Sequence, residues 1–112
     1  MTAGGRGAED AALVFLRTQG LALLARNYHC RFGEIDLVMR EGAVTVFVEV
    51  RMRTSRAFGG AIESITSAKR SRLLAAARHY MAQRGDMPAC RFDAVLLDGD
   101  NEPRWIRNAF GE

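Results

Sequence analysis

Apolar residues recur at helical spacing along two stretches of this chain and alternate with polar ones along several others, and the order of those patterns predicts the fold. Ala8, Ala12, Phe15, Leu16 and Gln19 fall on one helical face, Glu9 and Asp10 suit the positive end of a helix dipole, and Gly20 stops the run, so a helix is predicted over residues 8–19. Residues 21–32 read as an extended segment. Residues 33–40 and 43–51 read as two strands joined by a tight turn at Glu41-Gly42. A basic, glycine-ended loop follows over residues 52–60. Thr66 is placed to cap a helix running to about Arg84, with Leu73, Leu74, Ala77, Tyr80 and Met81 as its apolar stripe and Gly85 as its stop. Phe92, Ala94 and Leu96 alternate with Arg91, Asp93 and Val95 in a strand over residues 90–97. A short last strand is expected near residues 104–107, after the turn Asp98-Gly99-Asp100-Asn101. The order α-β-β-β-α-β-β predicts an α/β fold: a mixed sheet flanked by helices, the second helix crossing over between strands.

The bulk properties narrow this picture little. The chain has 112 residues, with 48% hydrophobic and 26% charged side chains, which fits one domain spanning residues 1–112. Residues 1–7, rich in glycine and without an apolar core, are expected to be a disordered lead-in rather than a signal peptide. No apolar run approaches the roughly 20 residues of a membrane span. Cys30 and Cys90 lack metal-ligand or disulfide spacing and read as free thiols in a reducing cytoplasm. His29 and His79 are isolated and read as core or surface residues. A net charge of +3 permits a polyanionic partner without requiring one. Of the 16 basic side chains, every one but Lys69 is arginine.

The chemistry gathers on the two adjacent strands. Gly33-Glu34-Ile35-Asp36-Leu37-Val38 and Val46-Phe47-Val48-Glu49-Val50-Arg51 each set acids into an apolar alternating run. A buried ionised carboxylate costs several kcal/mol, roughly, unless a cation compensates. With the turn centred on Glu41-Gly42, Arg40 faces Ala43, Glu34 lies opposite Glu49, and Asp36 lies opposite Phe47. Glu34, Asp36, Glu49 and Arg51 then share one face, and Ile35, Leu37, Val46, Val48 and Val50 fill the other. Asp36 and Glu49 become diagonal neighbours roughly 7 Å apart at the backbone, close enough to share a hard cation such as Mg²⁺. The same spacing also fits a solvated face on which the three acids pair with Arg51, Arg53 or Arg26.

At these residues the chain resembles a known family. Gly33-Glu34-Ile35-Asp36-Leu37 with Phe47-Val48-Glu49-Val50-Arg51 resembles the PD-(D/E)XK nuclease motif. More narrowly the chain is similar to the YraN family of small bacterial proteins, themselves similar to archaeal Holliday-junction resolvases. The likeness extends to Glu9 and Ala12, Asn27-Tyr28, Arg31-Phe32-Gly33, Phe58-Gly59, Lys69, Arg91-Phe92-Asp93 and Asn108-Ala109-Phe110. It implies a restriction-endonuclease-like fold. It further implies Asp36 and Glu49 as metal-binding acids for Mg²⁺ or Mn²⁺, the backbone carbonyl of Val50 as a further ligand, and Glu9 as an acid approaching from the first helix. The motif expects lysine where this chain has Arg51. Arginine stabilises phosphate charge but does not act as a base. Lys69, retained in an otherwise all-arginine set, is the residue expected to supply an ammonium at the site.

Arg51, Arg53 and Arg56 in the loop, and Lys69, Arg70 and Arg72 at the start of the second helix, are placed to grip phosphates. No base-reading element is visible, so the expected partner is DNA recognised by its structure or branching. The expected function is a metal-dependent endonuclease with Asp36, Glu49, Arg51, Glu34, Glu9 and Lys69 as site residues. The alternative is a non-catalytic nucleic-acid-binding module of a repair, recombination or uptake machine, favoured by Arg51. By analogy with nucleases that pair to cut two strands, the resemblance leaves room for a homodimer.

Overall fold

Each predicted element forms, and the differences lie at the ends. The computed structural model describes residues 4–52, 66–85, 88–99 and 102–110. Helix α1 (Gly4–Thr18) starts a turn earlier than its apolar spacing predicts, so residues 4–7 of the expected lead-in are helical; residues 1–3 lie outside the described residues. Glycine is a poor helix former and no capping residue marks this start, which hid it. Glu9 and Asp10 therefore sit past the first turn, beyond the reach of the dipole's positive end. Ala8, Ala12, Leu13 and Leu16 are the buried face, whereas Gln19, expected there, is exposed.

Strands β1 (Ala22–Cys30), β2 (Gly33–Glu41) and β3 (Val44–Met52) form an antiparallel meander. Helix α2 (Ser67–Arg84) then crosses over to β4 (Cys90–Leu97), which runs parallel to β3, and β5 (Arg104–Phe110) closes the sheet antiparallel to β4. The strand order is β1-β2-β3-β4-β5. A parallel neighbour needs a long connection, and α2 lies in it. Thr66 accepts the Lys69 N–H at 3.1 Å to cap α2, and Gly85, left-handed at φ 80, ends it.

The helices cover opposite faces. On one, α1 packs against Leu37, Met39, Val46, Val48, Val95 and Leu97. On the other, Leu73, Ala76, Ala77, Tyr80 and Met81 of α2 pack against Ile35, Val38, Phe47 and Phe92. Ile35 is thus on the side opposite to its expected neighbour Leu37. Beyond Leu37, β2 pairs only with β1, and β1 carries a left-handed residue, Asn27 at φ 52. Two-stranded ribbons twist more strongly than wider sheets, and this one carries Ile35 round to α2.

The β2–β3 register corrects the expected one. The turn is Gly42-Ala43, closed by Glu41 opposite Val44, so that Val38 faces Phe47 and Leu37 faces Val48. Gly42 has φ 60 while Ala43 is not left-handed, the pattern of a II′ turn with glycine first rather than second. The slip is two residues. Because side chains alternate with period two, Val38 of β2 and Phe47 of β3 still share the face predicted for them.

A second buried acid anchors the far end of the sheet. Asp93 is fully buried and accepts from Arg91 Nε at 2.9 Å, Trp105 Nε1 at 2.9 Å and the Asn108 N–H at 2.9 Å. Arg91 and Arg107 both reach Glu41, at 2.8 and 3.0 Å, and together they hold its carboxyl below the usual carboxylate range, Arg107 most strongly. Replacing Asp93 by alanine leaves buried donors unpaired. The expected loss is about 3 kcal/mol or more, read as a fall in the urea midpoint with unchanged m-value. A loss below about 1 kcal/mol would contradict this role.

Candidate active site

The β2–β3 ladder stops at Leu37 opposite Val48. Past that pair, β2 continues along β1 and β3 continues along β4, but they no longer bond to each other. A continued ladder would carry the Val50 N–H to the backbone of β2. Instead it donates to Asp36 Oδ2 at 2.8 Å. The carboxylate thereby fills the fork between the strands, and its orientation is fixed by the backbone of the strand that carries Glu49.

Three acids meet there. Glu9 from α1, with Glu34 and Asp36 from β2, each offer a carboxylate oxygen, and these oxygens lie within 4.8 Å of one another. Glu9 is buried, and its Oε1 makes no hydrogen bond; Arg26 Nε lies at 3.8 Å and holds it by charge alone. Burial raises the Glu9 pKa, and the Asp36 charge adds to it. Burial likewise raises Asp36, with Glu34 adding repulsion, against the lowering pull of the Val50 N–H. The three acids are thus crowded together, and Glu9 and Asp36 are not fully compensated there. An oxygen-only, anionic set of this kind suits a hard divalent cation, whose ligands stand up to about 4.2 Å apart for Mg²⁺.

Glu49 flanks the cluster and is buried, at 4% exposure. Its Oε2 lies 3.3 Å from Lys69 Nζ and 3.2 Å from Arg51 Nε. Arg51 Nε is at ion-pair distance but makes no aligned hydrogen bond. Even with two cations beside it, burial first and the Asp36 charge second push the Glu49 pKa up to about 7. The helix cap positions the lysine: the residue whose N–H closes the cap on Thr66 is the one whose side chain reaches β3.

A cleft of about 260 Å³ opens onto the cluster, lined by Gly33, Glu34, Asp36, Lys69, Arg72 and Leu73. The expected site residues therefore arrange as follows. Asp36, Glu34, Glu9, Glu49, Lys69 and Arg51 come together. Glu34 does not face Glu49 as expected; it lies opposite His29 on β1, half-exposed, with His29 Nε2 at 3.1 Å. The two-residue slip explains this, and it places Asp36 and Glu49 each one residue past the last ladder pair, Leu37 opposite Val48. Val50 contributes its N–H to Asp36. Arg72 lines the cleft, and Arg70 is exposed on the same turn of α2. Arg53 and Arg56 lie outside the described residues. Arg26, expected as a partner of the strand acids, instead bridges Glu9 and the neighbouring Asp10 on α1. Asn27, quoted in the sequence only as part of the family likeness, exerts a lowering pull on the Glu9 pKa. A left-handed asparagine inside a strand leaves no periodic signal.

Comparison with known proteins agrees with this architecture. The model of the uncharacterised protein family UPF0102 matches residues 8–97. A UPF0102 protein of Nitrosomonas europaea is 61% identical over 99% of this chain and 98% of its own length. Another, from Ralstonia nicotianae, is 54% identical over 97% of this chain and 87% of its own length. Among solved structures, Hjc from Archaeoglobus fulgidus, a Holliday junction resolvase, superposes with a TM-score of 0.58 at 18% identity, covering 88% of this chain and 72% of that one. The mixed five-stranded sheet with its two helices is thus the restriction-endonuclease-like fold. The chain belongs to the uncharacterised protein family UPF0102, the family to which its YraN-like motifs point.

Proposed function

We propose that the protein is a divalent-metal-dependent endonuclease acting on structured or branched DNA. The observation that carries this reading is the crowding of Glu9, Glu34 and Asp36 around one point beside a cleft, with Lys69 and Arg51 converging on Glu49 next to them. The shared fold with a Holliday junction resolvase supports it. The acids fit Mg²⁺ or Mn²⁺: Asp36 and Glu49, with Glu9 and Glu34, would hold the ion, and the Val50 carbonyl is a further candidate ligand. A bound ion of this kind polarises the scissile phosphate, activates a water and stabilises the leaving oxygen.

The chain's own residues supply the rest. The Val50 N–H holds Asp36 in one rotamer. Glu49 tethers both cations within reach of the cleft, so they meet the charge that develops on a pentavalent phosphate. Arg51 serves as a charge clamp, as a guanidinium is suited to do. Lys69 supplies the compact ammonium that the motif otherwise takes from the position of Arg51, since both reach the same oxygen of Glu49. Arg70 and Arg72 extend the positive surface along α2, which carries no acid in its first turn. DNA as substrate implies the cytoplasm as the place of action, and cutting two strands at once implies two copies of the site.

A second reading rests on Arg51. If the guanidinium cannot replace the motif lysine, the same cleft binds nucleic acid without cutting it, as part of a larger repair, recombination or uptake machine.

Incubation with flap, junction and duplex DNA separates the two. The enzyme is expected to cut only with Mg²⁺ or Mn²⁺, and Asp36→Ala or Glu49→Ala should reduce cutting at least about 100-fold while leaving binding equal or tighter. Lys69→Arg keeps the charge but not the compact donor, and it should slow cutting about ten-fold or more; an unchanged rate removes Lys69 from the mechanism. Band shifts without cleavage under every metal condition favour the binding module.

The raised acid pKa values set a pH dependence. A protonated carboxylic acid is a poor ligand, so ion uptake must expel the protons that burial retains on Glu49 and its neighbours. Mn²⁺ affinity should rise as pH increases through about 7, with proton release on binding seen by calorimetry in two buffers. Without the ion the sign reverses for folding: the Glu49 contribution is fully present below about 4.5 and is lost as pH rises through about 7. Mn²⁺ affinity that is flat from pH 6 to 8 would contradict this.

A further inference from the structure

Arg31-Phe32 forms the two-residue turn between β1 and β2, closed by Cys30 opposite Gly33. Phe32 is one of few large apolar side chains that stand exposed among the described residues, at 36%. Its ring is nevertheless held in place. The His79 ring of α2 meets it edge-on, with centroids 5.8 Å apart. His79 is fixed in turn by the Tyr28 hydroxyl at 2.6 Å from Nδ1. Over the Phe32 ring lies the Arg31 guanidinium, 4.9 Å from the centroid. The next residue, Gly33, lines the cleft and adjoins α2, where a Cβ would stand in ordinary contact, 3.5 Å from Arg72 Cβ.

We propose that Phe32 is a stacking platform for an unpaired nucleobase, and that the substrate class is DNA in which a single strand leaves a duplex. This deepens the nuclease reading and rests on it. A strand whose phosphate lies in the cleft beside Lys69 and Arg72 has its neighbouring nucleotide one residue away along the hairpin, at an anchored aromatic ring. The ring's partner there is the exposed Arg31, whose long side chain a base would displace at small cost, freeing the guanidinium for the adjacent phosphate. Stacking on an aromatic ring is open to every base but only when the base is out of the duplex, so it selects for unpaired structure without selecting sequence. Cation and ring thus divide the work: Arg31, Arg72 and Lys69 attract any DNA, and Phe32 favours the unpaired part.

The test uses the whole protein with Ca²⁺ as the divalent ion, a fluorescent 2-aminopurine placed in the single-stranded arm of a flap, and a fully paired duplex of the same length. Phe32→Ala should weaken flap and single-strand binding about ten-fold, abolish 2-aminopurine quenching, and leave duplex affinity and the salt slope unchanged. Phe32→Trp should retain flap preference, and matching thermal melts of both variants guard against a folding defect. Arg72→Ala should weaken flap and duplex alike and lower the salt slope. Equal flap and duplex losses in Phe32→Ala, or none, overturn the stacking role and leave the DNA reading standing. A wild-type protein that binds neither DNA overturns both.

Discussion

The fork between β2 and β3 is the constraint on which the rest of this structure depends. Where the ladder ends, at Leu37 opposite Val48, a backbone N–H would be left without its strand partner, and Asp36 takes it. That single hydrogen bond turns an acidic side chain into part of the sheet. It also opens a gap into which α1 can bring Glu9 from one side while the cleft admits solvent from the other. Without the fork, Asp36 would be one more residue of an alternating strand, and Glu9 would have no acid to meet.

The parallel pairing of β3 with β4 supplies the other half of the site. It obliges the chain to cross over, the crossover is α2, and the capped start of α2 sets Lys69 against Glu49. Two aspartates, one fully buried and one half-buried, make the functional contrast clear. Asp93 is fully buried and fully satisfied, with arginine, tryptophan and backbone donors around it, and it ties β4 to β5. Asp36 and Glu9 are desolvated and face each other's charge, which Lys69 and Arg26 only partly offset, and an oxygen of Glu9 has no hydrogen bond. The first pattern is what stability asks of an acid. The second is electrostatically strained until something positive arrives, and such strain marks a binding site.

Much of this was legible in the sequence because β structure has period two. Placing the turn at Glu41-Gly42 instead of Gly42-Ala43 shifted the strands by two residues, yet Asp36, Phe47 and Glu49 kept their shared face. A shift of one would have scattered them. Helix α2 was readable for a similar reason: Thr66 and Gly85 are strong signals at its ends. What resisted reading depends on irregular backbone. The left-handed Asn27, the turning of Ile35 toward α2, and the glycine-rich start of α1 leave no periodic trace. Glu9 as the inward acid came from the family resemblance; the helix phase that buries Ala8, Ala12 and Leu16 agrees with it and leaves Asp10 exposed. Lys69 stood out by composition, and its partner Glu49 became visible only once the crossover was traced.

The central claim is that the carboxylates at the fork form one site for a hard cation. Electron paramagnetic resonance of Mn²⁺ titrated into the metal-free protein tests it most directly, because protein-bound Mn²⁺ loses the sharp six-line signal of the aqueous ion. The account predicts saturable loss of that signal at one equivalent, competed by Mg²⁺ and abolished when Asp36 becomes asparagine. An undiminished aqueous spectrum, with or without DNA, or uptake indifferent to Asp36, would contradict it.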